Sequence, residues 1–391
     1  MLLGYKSGMS IDLLPYDAEV EYLQSSGNSS TVVKMWVDTG VEALANTAME
    51  VTFQYTDTSY GYVMGQGQLN GSRFGVAGIR SNSRLWSLAY NSWHDFSISA
   101  DTSIHTFSLD GVLKTGSVDG TSISFSDSYT SEGGTIGLFC RNCSGGTVQN
   151  FGCNGKLYSC KIWDNGNLVR DFIPVRKGTV GYLYDRVSGK LFGNAGTGDF
   201  VVGPDVVPVE YIESHGTEYI DTGFVATTDT VCNLSMMLAE NETGTSGCFL
   251  GALDGSAHRF HLTRTDFGLN GYFFYSNGNA EPFKVCNFEL NAKEWYCKKD
   301  GVATASTSTK YVPAVTVYLF ARHYSSSYDR PSKIRMFYCD FLNNDAFALK
   351  YRPVRVGTEG AMMDVLTRRI YRNAGTGAFT YGEDLPYPIP A

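Results

Sequence analysis

The chain has no run of about 18 apolar residues, so it offers no membrane-spanning helix. Positive charge is scarce: 31 Lys and Arg stand against 39 Asp and Glu, a formal net charge of −8 at pH 7. A nucleic-acid partner is therefore not expected, since phosphate binding needs clustered cations. Helical periodicity is nearly absent throughout. The opening Met1-Leu2-Leu3-Gly4-Tyr5-Lys6-Ser7 lacks the charged n-region and long apolar stretch of a secretory signal. No Gly-x-Ser-x-Gly elbow accompanies His94-Asp95 or His261, so a hydrolase triad has no nucleophile. No dense acidic loop supplies the six or more oxygens of a calcium cage. The expectation is no catalytic residue, no metal and no cofactor.

What the chain does have is glycine (43 residues), aromatics at 14% and nine cysteines. Nine is odd, so in a monomer at least one thiol is unpaired. Cys140, Cys143, Cys153 and Cys160 have the wrong second spacing for a zinc ribbon, and the four read as reduced core thiols. That favours synthesis in a reducing cytoplasm.

The organising feature is a repeat. Shifted by 179 positions (Asn373 minus Asn194), Lys156–Gly203 falls on Arg335–Gly382 without a gap. Cys160 meets Cys339, Pro174-Val175-Arg176 meets Pro353-Val354-Arg355, and Asn194-Ala195-Gly196-Thr197-Gly198 meets Asn373-Ala374-Gly375-Thr376-Gly377. Self-similarity at one long offset means two copies of a folding unit. Within each copy short runs alternate apolar and polar, as in Leu157–Trp163, and turn residues such as Asn165-Gly166 separate them. The glycine-rich Asn-Ala-Gly-Thr-Gly loop lacks the Lys-Ser/Thr and the helix of a phosphate cradle, so it reads as a structural turn. Arg368 stands where the first copy has Gly189, so that turn must be built differently or carry strain.

The earlier parts match more faintly but in order. Val20-Glu21-Tyr22 to Asp38-Thr39-Gly40 corresponds to Val209-Glu210-Tyr211 to Asp221-Thr222-Gly223, with an insertion around Asn28–Val33 in the first copy. Gly65 with Arg73-Phe74 matches Gly251 with Arg259-Phe260, and Asp110-Gly111 is paired with Asp300-Gly301. Leu138-Phe139-Cys140-Arg141 corresponds to Leu319-Phe320-Ala321-Arg322. The layout expected is an N-terminal segment 1–18, domain 19–203, a stiff linker 204–208, domain 209–382, and a proline-rich tail 383–391 that cannot continue a sheet.

On these residues both copies resemble the concanavalin A-like lectin/glucanase superfamily, in its LamG-like jelly-roll branch. The resemblance rests on the Glu-Tyr-(Leu/Ile)-x-Ser-x-Gly opening, the Asp-Gly hairpin, the Leu-Phe-x-Arg strand and the Pro-Val-Arg to Asn-Ala-Gly-Thr-Gly-x-Phe close. It implies an all-β fold of two tandem jelly-roll β-sandwiches. Glucanase members carry a Glu-x-Asp-x-(x)-Glu strand; here Glu210, Glu213, Glu240 and Glu242 form no such triplet, and no enzyme is expected. Units of this kind are similar to those of phage and prophage proteins of gut bacteria. That resemblance implies a non-enzymatic virion structural or adhesion protein, made in the host cytoplasm and contacting glycans and other virion proteins. The alternatives are an architectural capsid or tail module without ligand and, behind it, a bacterial surface adhesin or a glycan hydrolase. Sugar binding needs flat aromatics beside hydrogen-bonding groups. The candidates are Trp86, Tyr90 and Trp93 in the first copy and Tyr272 and Tyr275 in the second, with core packing as the competing reading.

Overall fold

A computed structural model describes residues 14–57, 60–67, 71–79, 85–131, 133–143, 149–240, 247–255, 258–263, 266–269, 273–275, 283–305 and 313–389. The chain is all-β, with strands and turns but no helix among the described residues. It divides into two compact units, Met1–Gly203 and Pro204–Ala391. Each is a jelly-roll sandwich whose described residues form an eleven-stranded and an eight-stranded sheet.

In the first unit the long sheet runs Thr121–Ser124, Thr115–Val118, Ile104–Asp110, Thr47–Tyr55, Gly155–Asp164, Asn167–Lys177, Val180–Asp185, Lys190–Phe192. The short sheet runs Gln149–Asn150, Arg141–Cys143, Gly61–Gly67, Arg73–Ile79, Leu85–Tyr90, Ser92–Ser99. The two-residue strand period sends alternate side chains inward. Met49, Val51, Phe53, Phe107, Leu109, Cys160 and Ile162 of the long sheet thus meet Met64, Phe74, Val76, Trp86 and Leu88 of the short one. The second unit repeats the plan, with Cys232, Leu234, Met236, Phe288, Leu290, Cys339 and Phe341 packed on Leu250, Phe260, Leu262 and Leu319.

Both units share a reversal that the repeat alone did not reveal. Gly137-Leu138 pairs antiparallel with Gly61–Gly67, and three residues later Arg141–Cys143 pairs parallel with the same strand. The chain doubles back at Phe139, which takes φ 65°, and its counterpart Phe320 takes φ 67°. Such values are costly for a bulky residue and persist where the surroundings over-determine them. Here each ring is fully buried and each amide bonds back to the strand, Phe139 N to Val63 O and Phe320 N to Phe249 O. Arg368 likewise adopts the left-handed conformation of Gly189, φ 66° against 70°, so the second unit keeps the turn and carries the strain.

Three expectations are corrected. Asp300-Gly301 is the structural counterpart of Asp119-Gly120, not of Asp110-Gly111. Asp119 and Asp300 both sit at φ 47° and each amide bonds to the neighbouring strand, at Thr106 O and Asn287 O. Asp110-Gly111 corresponds instead to Asn291-Ala292, since Gly111 N bonds Thr47 O as Ala292 N bonds Thr230 O. The first unit holds two Asp-Gly turns, and spacing alone chose the wrong one. Second, the 204–208 stretch is not a bare joint. Val206–Pro208 is a strand on Ala346–Val356, because Val206 buries itself beside Val354 and Met363. Third, the segments placed outside the domains are docked on them. Ala18-Glu19 pairs with Arg176 and Val175, Tyr16 packs on Ile173, and in the tail Tyr387 donates to Val206 O while Ile389 is buried.

Candidate functional site

The solvent face of the first unit's long sheet carries a groove of about 620 Å³. Register builds it. A bulge between Leu157 and Ser159 sets the phase of Gly155–Asp164 so that Cys160 and Ile162 face the core. Lys161 and Trp163 therefore project to the other face, both partly exposed. Cross-strand pairing then lines up Trp163, Ala48 and Asp110 in one row and Lys161, Glu50 and Ser108 in the next. Ala48 contributes only a methyl group, leaving room beside the indole. The far wall is the Asp110–Thr115 turn. Asp110 Oδ1 accepts from the amides of Val112 and Leu113, both at 2.9 Å, and holds their side chains out at 62% and 70% exposure. Lys161 Nζ lies 3.2 Å from Glu50 Oε1. An aromatic floor, an apolar wall and a row of carboxylate and hydroxyl groups match the make-up of small-ligand sites.

The second unit does not repeat this surface. The corresponding rows are Leu342, Val231, Asn291 and Asp340, Asn233, Glu289. The aromatic is gone, and the carboxylates are engaged with cations: Asp340 with Arg352 at 2.6 Å and Glu289 with Lys298 at 3.2 Å.

The expected glycan residues fare differently. Trp86 is fully buried, its ring 5.0 Å from His105 and 5.1 Å from Phe107. Tyr90 is buried against Phe125 and Tyr129, its hydroxyl donating to Ala45 O at 2.8 Å. Neither offers a face to a sugar; both point into the sandwich from Leu85–Tyr90. Trp93 alone of the three is partly exposed, on the opposite face of the short sheet, with its ring 5.5 Å from Tyr62. Tyr272 lies outside the described residues. Tyr275 ends the strand Phe273–Tyr275, and its side chain lies outside the described set. Trp163 was missed although a signal existed. It shares strand parity with Lys161, and a tryptophan in phase with a lysine on a sandwich strand belongs to the solvent face.

The remaining polar candidates are engaged structurally. His94 contacts Asp127 at 3.0 Å and stacks on Phe125. Glu213 pairs with Arg335 and Glu240 with Lys333, each at 2.6 Å, while Glu242 lies outside the described residues. Asp38 and Asp221 each accept an amide two residues on, from Gly40 and Gly223 at 2.9 Å. Asn194 Oδ1 accepts from Trp36 N and Gly196 N, and Asn373 Oδ1 from Tyr219 N and Gly375 N. The Asn-Ala-Gly-Thr-Gly loop is thus a latch on the strand entering the short sheet. All nine cysteines are buried thiols, and burial pushes that of Cys297 up to about 12.

No family model matches the chain, and no curated protein matches it. Among solved structures it is similar to the mouse laminin α1 chain, domains LG4-5, at 11% identity over 88% of this chain and 96% of that one, with a TM-score of 0.31. It is also similar to the NanB sialidase of Streptococcus pneumoniae, at 9% identity over 92% of this chain and 75% of that one, with a TM-score of 0.26. A second structure of that sialidase gives the same figures.

Proposed function

We propose that the first unit is a non-enzymatic glycan-binding module whose ligand lies across the groove over Trp163. One observation carries the reading: a partly exposed indole stands beside the small Ala48, with Glu50, Ser108 and Asp110 within the same two cross-strand rows. A pyranose stacks its C–H face on such a ring, and neighbouring carboxylates and hydroxyls accept and donate to its hydroxyl groups. Glu50 is engaged with Lys161 and Asp110 with two backbone amides, which fits orientation of a sugar rather than acid–base work on it. A phage virion is the proposed setting, on the resemblance of both units to phage proteins, and its test is mass spectrometry of purified particles.

The test of binding is a glycan array on the full chain followed by calorimetry on the best hit. Trp163→Ala is expected to weaken binding at least tenfold while Trp86→Ala mainly lowers the melting temperature. Undiminished binding by Trp163→Ala would remove the groove from consideration. Reducing ends released from laminarin-, agar- or mucin-type substrates, and abolished by Glu50→Gln, would make the protein an enzyme.

A further inference from the structure

The two units place the same arginine at the same point and give it different partners. Arg141 stands in register with Gly65 of the strand it joins and opposite Asn150 across its hairpin. Arg322 stands at the equivalent point of the second unit, opposite Asp329. There the guanidinium is closed by a fork: Nε donates to Asp329 Oδ1 at 2.8 Å and Nη2 to Oδ2 at 2.5 Å. In the first unit an amide replaces that carboxylate. Arg141 Nε makes a single 3.3 Å bond to Asn150 Oδ1, and among the described residues Nη2 has no hydrogen-bond partner. The residue is only 2% exposed.

Its surroundings add positive charge and donors. The guanidinium lies over Phe151 at 4.6 Å and near the Tyr62 ring at 5.5 Å. The Tyr62 hydroxyl is fully buried beside the Arg141 guanidinium, which interacts with it, and among the described residues Arg73 Nε has no hydrogen-bond partner. On the other side of Tyr62 stands the partly exposed Trp93, with the Arg73 guanidinium 5.6 Å from its ring. Neither Arg73 nor Arg141 forms an ion pair among the described residues. The segments joining these strands, 68–70, 80–84 and 144–148, contain no Asp or Glu. A guanidinium removed from water without a counter-charge is unfavourable, and removing one partner of a buried pair leaves that penalty standing. The second unit answers it with its own Asp329.

We propose that Arg141, assisted by Arg73 and Tyr62, receives a carboxylate from outside the chain, so that the first unit holds a site for a carboxylate-bearing ligand. The ligand group is a carboxylate because that is what the same arginine grips in the second unit, and a planar two-oxygen group matches the guanidinium fork. Trp93 forms the partly exposed wall beside it. The site lies on the short sheet and does not depend on the groove at Trp163.

The test uses the full chain with sodium acetate, sodium glucuronate, methyl glucoside and sodium sulfate, each titrated by calorimetry at constant ionic strength. Saturable binding of glucuronate or acetate is expected, at least tenfold tighter than methyl glucoside or sulfate. Asn150→Asp restores the internal partner, and is expected to weaken glucuronate binding at least tenfold while raising the melting temperature of the first unit. Arg141→Gln is expected to lose binding as well. Acetate has no sugar ring to stack on Trp163, so saturable acetate binding that is lost in Arg141→Gln reports this site and not the glycan groove. Failure of both carboxylates to bind, sulfate binding as tight as glucuronate, or an Asn150→Asp variant that binds undiminished would each overturn the proposal.

Discussion

Asn194 and His105 illustrate how single side chains hold this fold in place. Asn194 satisfies two amides through one oxygen, at Trp36 and Gly196, and reaches back with its Nδ2 to the carbonyls of Lys34 and Gly198. Removing it leaves backbone donors without a partner, a loss of about 1–3 kcal/mol. Asn194→Ala is therefore expected to lower the melting temperature of the first unit by several degrees in a calorimetric scan, with the second unit's transition unmoved. Gly196 tolerates no side chain, since a Cβ there would come within 2.2 Å of Lys34 O.

His105 sits between two carboxylates, with Nδ1 2.6 Å from Asp119 Oδ2 and Nε2 2.8 Å from Asp101 Oδ1. Burial pulls its pKa down, but the bonds to Asp119 and Asp101 outweigh that and leave it above the ordinary 6.5. A raised folded-state pKa stabilises fully below the unfolded value and loses that contribution as pH rises through the folded one. The first unit is thus expected to lose stability as pH climbs from 6 to 8. His105→Gln is expected to flatten that slope in melts across the range, and an unchanged slope would contradict the assignment. Cys286 occupies the equivalent place in the second unit, which is expected to lack this pH dependence.

At the scale of elements, bulges and edge strands decide what alternation leaves open. The extra residue at this shift, Tyr158 between Leu157 and Ser159, has its counterpart in Phe337 between Met336 and Tyr338 of the equivalent strand in the second unit. Because a one-residue slip moves every later side chain to the other face, such a bulge sets which aromatics become core. The strand Val206–Pro208 shows the same dependence on pairing. Its valine is buried only because Ala346–Val356 is beside it. A fragment beginning at Pro204 is expected to melt higher than one beginning at Val209, since the shorter fragment exposes Val354 and Met363. Burial of a Val or Met side chain contributes about 1.5–3 kcal/mol, so the difference is measurable by circular dichroism.

At the scale of the whole molecule, each unit has its own core and its own two sheets. Residues 1–203 and 204–391 expressed apart are each expected to unfold cooperatively. A fragment giving the poorly dispersed amide spectrum of an unfolded chain would show that its core is incomplete alone. What the amino-acid order determined by itself was the duplication, the all-β class and the turn character of the glycine-rich loops. These follow from period, turn chemistry and repetition, all local properties of the chain. The face of Trp163 was legible in its parity with Lys161, whereas those taken by Trp86 and Tyr90 were decided only by tertiary structure, because each depends on cross-strand neighbours far away in sequence. The same holds for Arg141 and Arg322, which occupy matching positions in the two copies. Only the strand pairing that sets Asn150 against one and Asp329 against the other makes them chemically different, because a buried guanidinium is defined by the charge placed opposite it.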